Sequence, residues 1–433
     1  MNERFESIVT AVPGPRSRAL AARLAATEAP GVTYVGDDYP VFWERARGAL
    51  VEDVDGNRYL DLTSAFGVAA TGHTNPVVAA EIDAQAQRLI HGMGDVHPTE
   101  VRVRLLEALA ALAPGDLCKT YLSTSGSDAV EFARKTALLA TGRPRALAFQ
   151  GAYHGLSLGA LDLAGIAKFR QPFAPLVADH TTFLPYPGAR ATVAGAVAQI
   201  DAALDHDRTV GAVVLEPIQG RGGVIVPPAG FLRAVRALCD ERNLVLVVDE
   251  IYTGFGRTGS MFACERESVV PDLLCVGKAL GGGVPLSATI GSARVMDAWP
   301  KSTGEALHTS TFLGNPLACA AALANLKEMR RLDVVGRVRA REAGLAARLH
   351  RLTERAQVRD VRGLGFLWAV EFADAAIANQ VVVHALGIGL ILLQSGPTGT
   401  SITLAPPLTI DDEQLSRALS LFERSVHEVE ERG

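Results

Sequence analysis

The sequence predicts an α/β protein built around a mostly parallel sheet. Short β-branched or apolar runs alternate with longer helical patterns through the middle of the chain, which is typical of strands joined by crossover helices. The run Leu244–Val248 is continuously apolar, as a strand covered on both faces should be, and residues 231–239 carry an apolar helical stripe just before it. Six runs are predicted to be strands: Cys118–Ser123, Arg145–Phe149, Ala212–Leu215, Leu244–Val248, Leu273–Val276 and Ala288–Ile290.

The two ends of the chain differ from this pattern. Residues Gly48–Leu60 predict a hairpin that turns at an Asp-Gly pair. A helical pattern starts at about Leu317, and strand-like runs follow it at 366–371 and 402–404. We therefore expect three parts: residues 1–75 as an N-terminal segment that contributes to a small α+β domain, 76–316 as the large domain, and 317–433 as the C-terminal part of the small domain.

Composition and charge exclude several classes of function. The 433 residues are 48% hydrophobic and 21% charged with a net charge of −5, so neither a nucleic-acid partner nor an acidic membrane surface is expected. No apolar run approaches the ~18–20 residues that span a bilayer, and the N-terminus is charged, so we expect a cytoplasmic protein. The five cysteines lack CxxC or Cys/His metal spacing, which predicts reduced core thiols and no metal. Small-molecule chemistry is the default expectation.

Two carboxylates at the end of a predicted strand form the first candidate site. Asp249 and Glu250 directly follow the run Leu244–Val248. Ligands of open α/β sheets bind at the carboxyl ends of the strands, so an acid there is placed to act. For this segment alone, a helix N-cap or a surface carboxylate is the alternative.

Lys278 is the second candidate, because it follows the predicted strand Leu273–Val276 and precedes a run of glycines. Partial desolvation would lower the lysine pKa from about 10.4 and favour the neutral amine that traps a carbonyl group. Taken alone, the segment also fits a solvated lysine at a strand end. A Walker A loop is excluded because the glycines follow the lysine.

Two further segments could bind a phosphate and a planar ring. Residues 123–129 (STSGSDA) lie between a predicted strand and a helix, where N–H groups and hydroxyls can cradle a phosphate. Helix capping explains the same residues. Tyr153, within residues 151–155 (GAYHG), offers an aromatic face, although this segment alone is a turn bounded by glycines.

Taken in order, these segments resemble the class III, or ω-, aminotransferases, which belong to the fold-type I enzymes that use pyridoxal 5′-phosphate (PLP). The resemblance covers nearly the whole chain. It implies a fold-type I PLP-dependent transferase, with a mostly parallel central sheet, helices on both faces and a smaller α+β domain. Independent motifs in one order carry it: Ser125–Ser127, Tyr153–Gly155, Glu216–Gly220, Asp249–Glu250, Thr253–Gly259, Gly277–Lys278 and His308–Pro316.

The resemblance implies a role for each matching residue. Lys278 would form a Schiff base with PLP and then carry a proton, while Asp249 would pair with the pyridine nitrogen and keep it protonated. Glu216 matches a pocket acid that is often paired with a substrate-switching arginine, and a strand-end carboxylate is its alternative. The remaining implied cofactor contacts are Ser125, Gly126 and Ser127 at the phosphate, Tyr153 stacked on the ring, and its neighbour His154.

Thr311 matches a threonine that reaches the phosphate in the neighbouring subunit of this family. A homodimer with shared active sites is therefore expected.

Three positions bear on departures from the family pattern. Thr403 stands where relatives that use glutamate or 4-aminobutyrate typically carry an arginine, so the usual carboxylate clamp is absent. Arg221, in a glycine-rich loop, is a hypothetical substitute, with a solvated loop arginine as the alternative. Tyr252 stands where many relatives place a glutamine. Its hydroxyl would contact the 3′-oxygen of PLP, or its ring would line the pocket.

The implied activity is the ping-pong transfer of an amino group from an amine or amino acid donor to a carbonyl acceptor. Racemisation, epimerisation or decarboxylation within the same family is the alternative, because the switching arginine is missing. A binding module that has lost its activity is disfavoured by the intact set of Lys278, Asp249 and Tyr153. A nucleotide-dependent oxidoreductase is disfavoured because no GxGxxG motif follows an early strand.

Overall fold

The strands of the computed structural model, which describes residues 4–432, form three sheets. One sheet has seven strands and the other two have four each. The strands are β1 (Trp43–Arg47), β2 (Leu50–Asp53), β3 (Arg58–Asp61), β4 (Leu117–Ser123), β5 (Arg145–Phe149), β6 (Thr181–Leu184), β7 (Val210–Leu215), β8 (Val245–Asp249), β9 (Leu273–Val276), β10 (Ser287–Ser292), β11 (Val358–Leu364), β12 (Leu367–Phe372), β13 (Leu390–Ile391), β14 (Leu393–Ser395) and β15 (Ser401–Leu404).

Helices cover and connect these sheets, and several begin at a polar side chain that caps the first free N–H groups. Asn315, for example, accepts from two N–H groups and is followed by Pro316 at the first helical position. Within residues 4–432, no helix is long and apolar enough to cross a membrane. The helices are α1 (Pro15–Thr27), α2 (Ser64–Gly67), α3 (Pro76–Ala86), α4 (Glu100–Leu112), α5 (Gly126–Thr141), α6 (Leu158–Asp162), α7 (Ala167–Arg170), α8 (Val193–His206), α9 (Phe231–Arg242), α10 (Ala293–Met296), α11 (Pro316–Arg331), α12 (Val334–His350), α13 (Ala375–Gly387) and α14 (Asp412–Arg432).

The seven-stranded sheet has the order β4-β10-β9-β8-β7-β5-β6. All of its strands run parallel except β10, which is antiparallel to both of its neighbours. The six predicted strands coincide with β4, β5, β7, β8, β9 and β10 to within two residues at each end. The prediction of a mostly parallel α/β sheet is therefore confirmed.

The centre of this sheet is fully buried, which explains its sequence. Every residue of β7 and β8 is buried, so neither strand shows a polar alternation. Helices α5 and α9 both pack against β8. The apolar stripe predicted at residues 231–239 forms the buried side of α9.

The two ends of the chain share a sheet. The predicted hairpin over Gly48–Leu60 is present as β2 and β3. Strand β13, from the C-terminal part, pairs in parallel with β3 and completes the sheet β1-β2-β3-β13. The other four-stranded sheet, β11-β12-β15-β14, contains the strands predicted at 366–371 and 402–404. This pairing favours one small domain made from both ends, and the division at residues 75 and 316 stays a prediction.

One cysteine differs from the prediction of buried thiols. Four of the five cysteines are buried, but Cys118 is exposed. It lies on β4, one of the two edge strands of the central sheet, where Cys118 and Lys119 are exposed. The prediction was wrong for Cys118 because an apolar run does not show whether its strand lies at the centre or the edge of a sheet.

Asp272, directly before β9, forms hydrogen bonds with residues of β8, α9 and α10. It is 6% exposed, and its Oδ2 accepts hydrogen bonds from the Leu246 N–H at 2.7 Å and from Arg236 Nη1 at 2.8 Å. Its Oδ1 accepts from Arg294. One carboxylate therefore binds a strand N–H group and one nitrogen of the largely buried guanidinium of Arg236.

Replacing Asp272 with alanine should lower the free energy of unfolding by about 3 kcal/mol, because Arg236 and the Leu246 N–H would lose a buried partner. Asp240 is the matched control, since it pairs with the same arginine at 2.7 Å but is largely exposed. The D240A variant should lose less than about 1 kcal/mol. Urea unfolding at one protein concentration measures both, and equal losses would contradict the assignment.

Candidate active site

A cavity of about 550 Å³ lies where the strands of the central sheet end. Residues that follow the carboxyl ends of β4, β5, β7, β8 and β9 line it, as expected for an open α/β sheet. The cavity brings together ten of the eleven residues that were assigned to cofactor or substrate binding: Ser125, Gly126, Ser127, Tyr153, His154, Glu216, Arg221, Asp249, Tyr252 and Lys278.

Thr311 does not line this cavity and is exposed. Its predicted position in a neighbouring subunit's site stays a prediction.

Lys278 faces into the cavity from the turn after β9. Its backbone has a φ of +41°, a left-handed conformation that is unusual for a residue with a side chain. Burial lowers the pKa of its amine, and the negative charges of Asp249 and Glu216 act in the opposite direction. The Nζ atom lies 4.7 Å from the centroid of the Tyr252 ring. The alternative of a solvated lysine at a strand end is therefore wrong.

Asp249 is held in place by two hydrogen bonds. Its Oδ2 lies 2.7 Å from His154 Nδ1, and its Oδ1 accepts from the Ile251 N–H at 3.0 Å. Burial alone would lower the pKa of His154, but the hydrogen bond to Asp249 and the charges of Asp249 and Glu216 raise it. The imidazole is therefore favoured as a cation that stabilises the Asp249 carboxylate.

The second carboxylate of this motif, Glu250, has a different role. It is fully buried and accepts hydrogen bonds from the N–H groups of Ala263 and Cys264 and from the hydroxyl of Thr253. Glu250 does not line the cavity. It fixes the loop between residues 250 and 264.

Glu216 joins the two loops on either side of it. Its Oε1 accepts from the Tyr153 N–H and its Oε2 from the Gly220 N–H, both at 3.0 Å. Burial raises the pKa of this carboxyl to about 7, and the nearby His154 opposes the rise. Glu216 is therefore more than a strand-end carboxylate, since it positions one loop that carries Tyr153 and another that leads to Arg221.

The N-terminus of α5 points at the cavity through Ser125, Gly126 and Ser127. The Ser125 hydroxyl accepts from the Asp128 N–H, so the capping interpretation is correct for this residue even though it also lines the cavity. Ser127 Oγ accepts from the Leu156 N–H at 2.9 Å. A Cβ at Gly155 would lie 1.9 Å from Ser127 Oγ, which explains the glycine there.

The Tyr252 ring is packed between two glycines. A Cβ at Gly67 would lie 2.6 Å from the ring, and a Cβ at Gly220 would lie 2.3 Å from it. Burial raises the pKa of the Tyr252 hydroxyl to about 12, so it stays protonated and can donate a hydrogen bond. Gly67 is the last residue of α2. The three residues before it in α2, Ser64–Phe66, all have a positive φ, so α2 is a left-handed turn.

Several cavity residues were not found from the sequence. They come from both the central-sheet region and the flanking segments of the two chain ends, and an isolated apolar or hydroxyl residue carries no pattern that separates it from ordinary packing. Tyr153 and Phe169, for example, meet edge to face with ring centroids 5.6 Å apart. The residues missed are Phe66, Phe169, Ile251, Ser287, Leu393 and Ser395.

A partly buried amine of lowered pKa, in one cavity with an acid paired with histidine, is suited to capturing a carbonyl compound. Comparison with known proteins is more specific, because the chain belongs to the class III aminotransferase family. The family profile matches residues 33–426. The chain is therefore an aminotransferase, and its family membership implies dependence on PLP.

Its relatives act on several different amines. A 4-aminobutyrate aminotransferase of Mycobacterium leprae is 37% identical over 98% of both chains. A putrescine aminotransferase of Pectobacterium atrosepticum is 39% identical over 90% of this chain and 82% of its own. The PLP-bound structure of an amine transaminase from an uncultivated Pseudomonas species covers 93% of this chain and 98% of its own, with 30% identity and a TM-score of 0.85.

The residues around the cavity fit PLP. The Lys278 amine has no hydrogen-bond partner among residues 4–432, so it is free to react with an aldehyde. The N-terminus of α5 favours an anion such as a phosphate, and Tyr153 offers a ring face. A carboxylate at Asp249 suits a protonated ring nitrogen.

The raised pKa of Glu216 should make stability depend on pH. Between its unfolded value of 4.5 and about 7, the folded state holds a proton that the unfolded state has released, so the free energy of unfolding falls as pH rises. E216Q lacks this proton. We therefore expect the free energy of unfolding of the wild type, minus that of E216Q, to be about 1–3 kcal/mol smaller at pH 8 than at pH 5.

Urea unfolding of protein freed of bound ligands measures this difference. Glu354, which is exposed, serves as the control, and E354Q should show the same pH dependence as the wild type. A difference between wild type and E216Q that is equal at pH 5 and pH 8 would contradict the raised pKa.

Proposed function

We propose that this chain holds PLP in the cavity through Lys278 and moves amino groups from an amine or amino acid donor to a carbonyl acceptor in two half-reactions. The observation that carries the proposal is the Lys278 amine, whose pKa is lowered by burial and which faces a cavity lined by Asp249 and the N-terminus of α5. Membership of an aminotransferase family supports transfer over racemisation or decarboxylation.

We assign one role to each group of residues that lines the cavity. The N–H groups and hydroxyls at Ser125, Gly126 and Ser127 bind the phosphate, helped by the dipole of α5. Tyr153 lies against the ring, and Glu216 keeps its loop in place. The remaining contacts are made by Asp249 with the ring nitrogen, by His154 behind Asp249, and by the Tyr252 hydroxyl with the ring oxygen.

Bound PLP supplies an electron sink that lets a carbon next to the transferred nitrogen lose a proton. Lys278 supplies the base that accepts this proton and returns it, which requires a neutral amine. Burial favours the neutral amine, and the Tyr252 ring at 4.7 Å stabilises it again as a cation after it accepts the proton. Asp249 is positioned by His154 Nδ1 at 2.7 Å and by the Ile251 N–H at 3.0 Å.

We also propose a homodimer in which Thr311 completes the phosphate site of the partner. A group of apolar side chains on one surface supports an interface there: Ile90, Met93, Leu307 and Phe312 are all more than half exposed. Phe312 and His91 are in ring contact, and Asn315 donates to the Ile90 carbonyl, so the Thr311 segment lies on this surface.

The Thr311 segment is also tied to the phosphate helix of its own chain. His308 Nε2 lies 3.1 Å from Asp128 Oδ1, and Lys135 Nζ lies 3.0 Å from His308 Nδ1. Asp128 is in the first turn of α5. In the proposed dimer, α5 therefore positions both its own phosphate site and the segment that reaches the partner.

The protein is proposed to act in the cytoplasm. All five of its cysteines are free thiols, which fits a reducing compartment.

Replacing Lys278 with alanine should abolish the visible absorption band of lysine-bound PLP and lower kcat by at least about 10³-fold, because both the covalent anchor and the base are lost. Lys119 is a suitable control, since it lies on the edge strand and pairs with the exposed Asp297. Spectra and half-reaction rates of K278A, K119A and wild type test the proposal. An unchanged band in K278A would refute it.

Shared sites predict complementation between two defective chains. Dimers of K278A lack the lysine, and dimers of T311A bind PLP weakly, but a mixed dimer has one site with both residues. Random pairing of equal amounts should therefore restore about a quarter of wild-type activity. Co-expressed, differently tagged chains assayed at limiting PLP measure this, and activity equal to the sum of the separate variants would exclude Thr311 from the partner's site.

A further inference from the structure

Arg221 is a cation without a partner at the wall of the cavity. Its side chain is half-buried, and among residues 4–432 no carboxylate or carbonyl accepts a hydrogen bond from its guanidinium. The acids of the cavity bind other partners. Glu216 accepts from the N–H groups of Tyr153 and Gly220, and Asp249 lies 2.7 Å from His154 Nδ1. The alternative of a solvated loop arginine does not explain why this charge lines the cavity.

Two observations place the Arg221 loop at the wall of the cavity. Arg221 lines the cavity together with Tyr153 and Tyr252, and its positive charge opposes the burial-driven rise in the pKa of Tyr153. The Arg221 carbonyl accepts from the Gly396 N–H at 3.2 Å, which fixes the arginine loop to the hairpin of β14 and β15. The loop and the hairpin therefore form one wall.

That hairpin presents a pair of hydroxyls to the same cavity. Ser395 Oγ and Thr403 Oγ1 are 2.6 Å apart, and both residues are at least 95% buried. Two hydroxyls have two protons, and their mutual hydrogen bond uses one of them. The other proton has only a long contact, from Ser395 Oγ to the Ser401 carbonyl at 3.5 Å, and a ligand atom in the cavity would compete for it.

We propose that Arg221 and the Ser395–Thr403 hydroxyl pair form an anion subsite that selects amine substrates carrying a carboxylate away from the reacting nitrogen. This inference rests on the proposed function of the cavity and names its substrate class. Much of the remaining lining is apolar, including Phe66 and Leu393. An unpaired guanidinium beside such surface favours an anion over a neutral group, and its planar shape matches a carboxylate.

Matched substrate pairs test the subsite. β-Alanine, 4-aminobutyrate and 5-aminopentanoate are each compared with the corresponding amide, which keeps the length and removes the charge. The readout is the ratio of kcat/KM for the acid to that for the amide, measured for the holoenzyme in the amine half-reaction.

In R221M, the ratio for the preferred chain length should fall about 10-fold to 100-fold, since a charge-assisted hydrogen bond is lost. In R221K the acid-to-amide ratio should fall less than in R221M, because lysine keeps the charge but loses the bidentate geometry. T403V should lower the ratio by about 3-fold to 10-fold. Arg208 is the control, because it is largely exposed on another surface, and R208M should keep the wild-type ratio.

Two results would overturn the subsite. The first is an R221M ratio equal to that of R208M, and the second is a loss of PLP retention in R221M, which would place the guanidinium at the cofactor. Failure of the proposed function is distinguishable, because it would remove the lysine-bound PLP band and all half-reactions in the wild type. An R221M enzyme that keeps the band and loses acid selectivity supports the subsite.

Discussion

The site depends on the parallel alignment of β5, β7, β8 and β9. Parallel strands end at the same edge of a sheet, so the residue after each strand reaches one place even though the strands are far apart in the chain. Here those residues are Tyr153, Glu216, Asp249 and Lys278. An antiparallel strand at any of these positions would send its following residue to the opposite edge. Strand β10 is antiparallel, and it contributes only its first residue, Ser287, to the cavity.

The alignment concentrates ionisable groups that must then stabilise one another. Asp249 and Glu216 favour the cationic forms of Lys278 and His154, while burial favours the neutral form of each group. Backbone N–H groups contribute to this balance, because two of them bind Glu216 and one binds Asp249 on the side opposite His154. The arrangement places a carboxyl group held by His154 in the same cavity as a lysine whose pKa is lowered by burial, which is the combination that the proposed amino transfer uses.

The strands of the central sheet and the residues that follow them could be predicted from the sequence, because periodicity and turn residues are local signals. The sequence was insufficient where distant segments meet. Tyr252 fits because Gly67 and Gly220, 185 and 32 residues away, both lack a side chain. Ser395 lies beside Thr403 across a hairpin, and nothing in either residue type indicates a binding role. Cys118 was wrongly predicted as buried because edge and centre of a sheet are set by strand order, which no single strand shows.

The replacement of an arginine by Thr403 changes how the cavity can recognise charge. A long cation on β15 would be supported by a buried strand, whereas Arg221 extends from a glycine-rich loop. A loop cation would ordinarily be poorly positioned. In this protein its loop is fixed at both ends, since Glu216 binds the Gly220 N–H before it and the Gly396 N–H binds the Arg221 carbonyl. Glu216 therefore holds both the loop that carries Tyr153 and the loop that carries Arg221, so in the proposed function one buried carboxylate would position groups for the cofactor and for the substrate.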